Sequence, residues 1–154
     1  NMVDSVESGI GDAKHIFDDI PETAWITQWK GRQTDHPHTV IIKLPASVKA
    51  TGIVYTPRQD SDKGRIKSYR INTAKTEGDW DKEKLRGDFK EGSDSVQLMF
   101  RRPRDVRFIR ILALSAHDGS NMAAVGEIDL VTRNRWLSSG SAKPAKGKGK
   151  GKGK

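Results

Sequence analysis

The sequence predicts an all-β sandwich. Three observations carry that prediction: short runs rich in β-branched and aromatic residues recur from residue 38 onward, clusters of Gly, Pro, Asp and Ser separate them, and almost no stretch carries a helical repeat. At 154 residues the chain is long enough to bury one core.

Taken in order, residues 1–11 hold two glycines and little apolar content, and read as a loose N-terminal lead-in. The opening "NMVDS", with methionine second, is expected of a fragment cut from a longer protein. One helical turn is expected in "DAKHIFDD", with Asp12 as its N-cap and Ile16 and Phe17 turned inward. Strands are then expected in "HTVIIKL" (38–44), "ATGIVYT" (50–56), "IKSYRINTA" (66–74), "SVQLMF" (95–100), "VRFIRILALSA" (106–116) and "AAVGEIDLV" (123–131). In "VRFIRILAL" the residues Val106, Phe108 and Arg110 alternate with Arg107, Ile109 and Ile111, the pattern of a strand covered on both faces. "LPASVK", "PRQDSDKG", "KTEGDWDKEKLRGD" and "AHDGSNM" carry turn chemistry and are expected to connect the strands. The folded domain is expected over residues 12–132.

From Arg133 to the end there are eight basic residues and no acidic ones, and "KPAKGKGKGKGK" has no apolar face to bury. Residues 133–154 are therefore expected to be a disordered basic Gly/Lys tail, native or appended. Without those eight, 20 basic residues face 20 acidic ones, so the net charge of +8 describes the tail and not the domain. A folded face with no positive excess argues against a nucleic-acid reader. No cysteine is present, and no apolar run reaches the roughly 18 residues of a membrane span.

Catalytic chemistry finds little support. Nucleophile elbows, zinc helices and phosphate-cradling loops are all missing, and His36 and His38 lack a third ligand at useful spacing. "HIFDDIPETAW" (15–25) places an acidic pair, a proline bend and a threonine before an aromatic. That is either a solvated turn or an oxygen-rich loop suited to a hard cation. Trp25 is expected in the core; Trp29, beside the polar "KGRQTDHP", reads as core or as an exposed platform for a sugar ring. In "VYTPRQDSDKGRI" (54–66) Pro57 fixes the direction in which Arg58 leaves its strand.

The order "FDDIPETAWITQW", "PHTVIIKL", "TGIVYTPRQDSDKGRIKSYRI", "GDF" and "RFIRILALSAHDGSNMAAVGEIDL" resembles the coagulation factor 5/8 type C, or discoidin-like, domain. It is most similar to bacterial carbohydrate-binding module family 32 and the N-terminal domain of galactose oxidase. The resemblance runs from about residue 12 to residue 131 and implies an eight-stranded jelly-roll β-sandwich with one structural calcium and a small sugar site on edge loops. The implied cation ligands are the carbonyls of His15, Ile20 and Gly126, both oxygens of Thr23, and the carboxylates of Asp18 and Glu127. The implied sugar site centres on Arg58, with Trp29, Lys63 and Asn121 beside it. Here the sequence departs from the family: Ile26 replaces a histidine, Lys63 an asparagine, and Asn121 and Met122 stand where an aromatic is common.

The expectation is a non-catalytic carbohydrate-binding module of a larger secreted or surface glycan-acting protein, bacterial and monomeric. Its ligand would be a galactose- or N-acetylhexosamine-containing glycan, or an acidic one that Lys63 could pair with, and its neighbours other domains of the same protein. The alternative is a structural spacer or protein-contact discoidin-like domain that has lost sugar binding. Phospholipid binding would need apolar loop tips, and only Met122 and Trp29 offer any.

Overall fold

The structure is a computed structural model, and it describes residues 2–3, 11, 14, 16, 18–20, 22–28, 33–132 and 136–138. Nine strands occur among these residues: β1 (Met2–Val3), β2 (Trp25–Ile26), β3 (His38–Thr56), β4 (Ser68–Ala74), β5 (Leu85–Asp88), β6 (Val96–Ala113), β7 (Ala124–Val125), β8 (Glu127–Val131) and β9 (Trp136–Ser138). Seven form one antiparallel sheet in the order β5-β4-β6-β3-β8-β9, with β1 added against β3, and β2 pairs with β7.

Two strands make the sandwich out of one continuous sheet. β3 and β6 each run through stretches expected as two separate strands, and the register between them slips between Lys43 and Val48 and again between Ala50 and Gly52. Such bulges bend and twist a strand. The first half of β3 lies opposite the end of β6, which also pairs with β4; the second half lies against β8. Ile42, Ile71, Ile109 and Ile111 from one half pack in the same core as Ile53, Tyr55, Ile128 and Leu130 from the other. Phe89 is stacked between Tyr55 and Tyr69, at 3.9 and 4.0 Å between ring centroids. Trp25 is fully buried, as expected.

The register slip also corrects a facing assignment. Val106 joins Ile109 and Ile111 in the core, while Phe108 lies outside that cluster. Simple alternation had put Val106 with Phe108; Val106 pairs with Val48 and Phe108 with Lys43, on opposite sides of the first slip. Other differences come from short or polar pairings that periodicity does not reveal. Leu85–Asp88 pairs with β4 inside a stretch expected as a turn. Met2–Val3 joins β3 within the segment expected to be loose, and β9 pairs with β8 beyond Thr132, where the domain was expected to end. Gly126 divides the last expected strand into β7 and β8. Lys14 and Ile16 lie in a 3-10 turn with Ile16 buried; Asp12 and Phe17 fall outside the described residues, as does the tail from 139 on.

The site depends on where β3 ends. Thr56 pairs with Glu127, and Gly126 donates to the Thr56 carbonyl at 2.9 Å. Arg58, two residues past Thr56, and Glu127 therefore belong to adjacent corners of one sandwich edge.

Candidate functional site

The first corner is built by loops 57–65 and 117–123. Arg58 is 8% exposed, and its guanidinium is clamped by Asp60 through Nε to Oδ1 at 2.7 Å and Nη2 to Oδ2 at 3.3 Å. Nη1 donates to the Lys63 carbonyl at 3.3 Å, and Arg65 Nε donates to the Arg58 carbonyl at 2.9 Å. A two-bonded arginine–carboxylate pair fixes the plane of the guanidinium as well as its position. The Arg58 hydrogen bond holds Asp60 below its ordinary value, against burial. Pro57 is thus only the first constraint on Arg58, and Asp60 completes it.

Lys63 is exposed, with its backbone N–H donating to Ser61 Oγ at 3.1 Å. Gly64, at φ 78°, turns the chain back, and a side chain there would come within 3.2 Å of Met122 Cβ. Asp118 accepts from the Gly64 amide at 3.4 Å and from the amide and hydroxyl of Ser120. Burial pushes the Asp118 carboxyl up, but those donors and the nearby Lys63 outweigh it and hold it low.

Asn121 is exposed, and its carbonyl is the partner of His38 Nε2. Met122 packs on Ala24, Ile26 and Ala124, a small apolar cluster apart from the main core. Ile26 and Met122, at positions where the resemblance implies a histidine and an aromatic, thus both join this apolar cluster. Trp29 lies outside the described residues.

The second corner is the turn after residue 18. Asp18 accepts from Thr23 Oγ1 at 2.5 Å and from the Ile20 amide at 3.0 Å, and the Ile20 carbonyl accepts from the Thr23 amide at 3.1 Å. Asp19 takes a left-handed φ of 58°, and its amide donates to Glu127 Oε2 at 3.3 Å, tying the turn to β8. The structure therefore gathers Asp18, Ile20, Thr23 and Glu127. His15 lies outside the described residues. Gly126 is required by contact: a Cβ there would meet the Pro57 carbonyl oxygen at 2.5 Å.

Two acidic residues missing from the expected ligand set belong to this corner. Carboxylate oxygens of Asp19, Glu127 and Asp129 lie within 4.8 Å of one another. The Glu127 carboxyl is pushed up to about 9 by burial first, then by the Asp129, Asp19 and Asp18 charges, against the Asp19 amide. The signal for Asp129 was present, because residues 127 and 129 of a strand share a face. Among the described residues no other group of three metal-ligating side chains forms, so His36 and His38, 4.9 Å apart between ring centroids, stay a pair.

Residues 3–128 match the F5/8 type C domain family. A sialidase from Micromonospora viridifaciens is 32% identical over 131 residues, which make up 83% of this chain and 20% of that protein. The chain thus spans about a fifth of that relative's length. The family 32 carbohydrate-binding module of C. perfringens NanJ, solved with galactose, is 25% identical with a TM-score of 0.73, over 84% of this chain and 90% of that one. A second module from Clostridium perfringens, solved with GalNAc-β-1,3-galactose, shares the fold at 19% identity and a TM-score of 0.75, over 85% and 93% of the two chains. The architecture is the discoidin-like β-sandwich of these modules, and the chain belongs to the F5/8 type C domain family.

Proposed function

We propose that the chain is a non-catalytic carbohydrate-binding module whose first corner takes a single sugar of a galactose- or N-acetylhexosamine-containing glycan. It would deliver a larger secreted or surface glycan-acting protein to its substrate. The observation that carries this reading is Arg58, clamped at the end of β3 by Asp60 and the Lys63 carbonyl in a chain 25% identical to a galactose-bound module. A planar donor set held rigid before the ligand arrives loses little entropy on binding. Only a small part of Arg58 meets solvent, so contacts are few and binding weak. A titration of the labelled protein with galactose and N-acetylgalactosamine, followed by NMR, tests it. Silence of Arg58 and its neighbours at millimolar sugar would sink the reading.

The second corner suits a structural calcium. Its donors are all oxygens, and burial together with the Asp129, Asp19 and Asp18 charges makes the Glu127 carboxyl costly to ionise, which is the chemistry a hard divalent cation relieves. Asp18, Asp19, Glu127 and Asp129, with the Ile20 carbonyl and Thr23, would hold it. The ion would neutralise the cluster and pin the turn to β8.

A spacer or protein-contact role is the second reading, and one observation favours it. Ile26 and Met122 belong to one apolar cluster where polar and aromatic sugar contacts would otherwise stand.

A further inference from the structure

We propose that the outer face of strands β5, β4 and β6 is a second binding surface. It takes an acidic polysaccharide, whose carboxylate or sulfate groups bridge Arg70, Arg86 and Arg110. The choice of a glycan over another polyanion rests on the glycan reading above; the surface itself is separate from both corners.

The strand register builds this face. Arg70 on β4 lies directly opposite Arg86 on β5, and Asn72 lies opposite Arg110 on β6. Arg70 and Asn72 share one side of β4, while Ile71 between them enters the core from the other. Arg110 is thus the diagonal neighbour of Arg70, and its Nη2 donates to Asn72 Oδ1 at 3.1 Å. Opposite side chains stand about 5 Å apart at Cβ and diagonal ones about 7–8 Å. Three guanidiniums therefore form a row across three neighbouring strands, turned away from the core. The strand positions beside the row offer one carboxylate, Asp88, which lies opposite Ser68 and accepts from its hydroxyl at 2.7 Å.

Arg70 and Arg86 are exposed, and neither forms an ion pair among the described residues. Like charges directly opposite each other on neighbouring strands destabilise a sheet. One charge on β5 would guard the sheet edge, but that does not account for a second arginine on the strand inside it. An anion shared by the two removes the repulsion and uses the forked donors of both. Arg110 is already oriented, with its guanidinium 4.4 Å from the Trp80 ring centroid and bonded to Asn72.

Charges repeated at strand spacing suit a ligand whose own charges repeat along an extended chain. Single-stranded nucleic acid is such a chain, but it is held by bases stacked on open aromatic rings. Here Arg110 lies over the Trp80 ring, and Phe108, on the same side of β6, is only 8% exposed. Sugar rings pack instead on the arginine stems and on the half-buried Leu112, which lies opposite Arg70.

The test follows the full chain by NMR with two probes, heparin fragments and oligogalacturonate, which separate sulfate from carboxylate recognition. Either probe is expected to shift the side-chain Nε resonances of Arg70, Arg86 and Arg110 and the Trp80 indole. Replacing both exposed arginines, Arg70→Gln with Arg86→Gln, should weaken that binding about tenfold, two exposed charge contacts' worth, and flatten its salt dependence. The melting temperature should stay equal or rise, and the galactose response of Arg58 should not change. If the double variant binds both probes as tightly as the unaltered chain, the basic residues after 132 hold the polyanion and this face is not a site. A melting temperature several degrees lower would make the arginines part of the fold instead. Tighter binding of oligothymidylate through the same arginines would overturn the polysaccharide assignment. Probe binding here with no galactose response at Arg58 would sink the reading of the first corner and leave this surface standing.

Discussion

Two corners meet at the end of β3, and they balance charge in opposite ways. Around Glu127 burial and the charges of Asp129, Asp19 and Asp18 raise the cost of ionising its carboxyl. Around Arg58 the signs alternate: Asp60 clamps the guanidinium, and Lys63 lies near Asp118. A like-charged cluster asks for an ion from outside the chain. A balanced one attracts no ion in particular and must recognise its ligand by hydrogen-bond geometry. The second corner, at residues 18–23, therefore concentrates like charge, and the first, at residues 57–65, is held rigid by its own ion pair.

The largest effect is expected where the two corners touch. Gly126→Ala drives a Cβ to 2.5 Å from the Pro57 carbonyl oxygen and 3.0 Å from that of Thr56, both backbone atoms that cannot swing away. A loss of about 3 kcal/mol is expected from such overpacking, with calcium stabilisation and sugar binding both impaired. A variant with an unchanged melting curve would show that the corners are not held by this contact.

Next comes the ion. Chelation is expected to lower the melting temperature, and Asp18→Ala to do the same while abolishing the response to calcium, since it removes the partner of Thr23 and the Ile20 amide. Glu127→Gln makes the sharper test, because its sign should reverse. In chelator it removes a carboxyl that is costly to ionise and should stabilise; in calcium it removes a ligand and should destabilise. The same sign in both conditions would break the reading of this corner.

The pH dependence follows from the same carboxyl. Its folded-state value, about 9, lies above the ordinary 4.5, so the folded chain binds more protons than the unfolded one across that window. Stability from this group is fully present below about pH 4.5 and is lost as pH rises towards 9. Melting temperatures in chelator should therefore fall between about pH 5 and pH 8, and calcium should help most at the upper end, where the carboxylates it binds are ionised. Calcium that stabilises equally at both pH values would contradict this.

The corners also differed in how much the sequence disclosed. That Asp18, Ile20, Thr23 and Glu127 would share one corner was implied by the family resemblance, since the loop alone reads equally as a solvated turn. Asp129 was missed although its place two residues after Glu127 puts it on the same face of β8. Arg58 was legible through Pro57, yet its clamp by Asp60 was not, since Asp60 reads locally as turn chemistry. In the fold, the six runs were found, but not that β3 and β6 each join two of them. The joining rests on bulges, and no alternation pattern records where a strand bends from one layer to the other.

Arg58 itself separates rigidity from mere charge. Arg58→Ala should abolish sugar binding at a stability cost of about 1–2 kcal/mol, since it strands a partly exposed Asp60 and uncaps the Lys63 carbonyl. Arg58→Lys should not rescue it, because an ammonium cannot reproduce the two-bonded plane. Equal affinity of the lysine variant would mean that the corner reads charge after all.

The smallest effect on stability, and the finest test of the contrast, lies at Lys63. Its side chain is exposed, and only its backbone amide and carbonyl take part in the bonds that shape the loop. Lys63→Asn should therefore change stability by less than about 0.5 kcal/mol. Its effect on binding depends on what the corner recognises. Replacing an ammonium beside Asp118 by an amide gives the site a group that can both donate to and accept from a hydroxyl, at a distance fixed by the Arg58–Lys63 carbonyl bond. For a neutral hexose, affinity should rise several-fold with little dependence on salt. If the unaltered chain instead binds a sugar carboxylate through Lys63, the same substitution should weaken binding, and that binding should fade with added salt before the change is made. A gain for galactose with no loss for a uronate would place the specificity of this edge in hydrogen bonds, where the balanced charges around Arg58 put it.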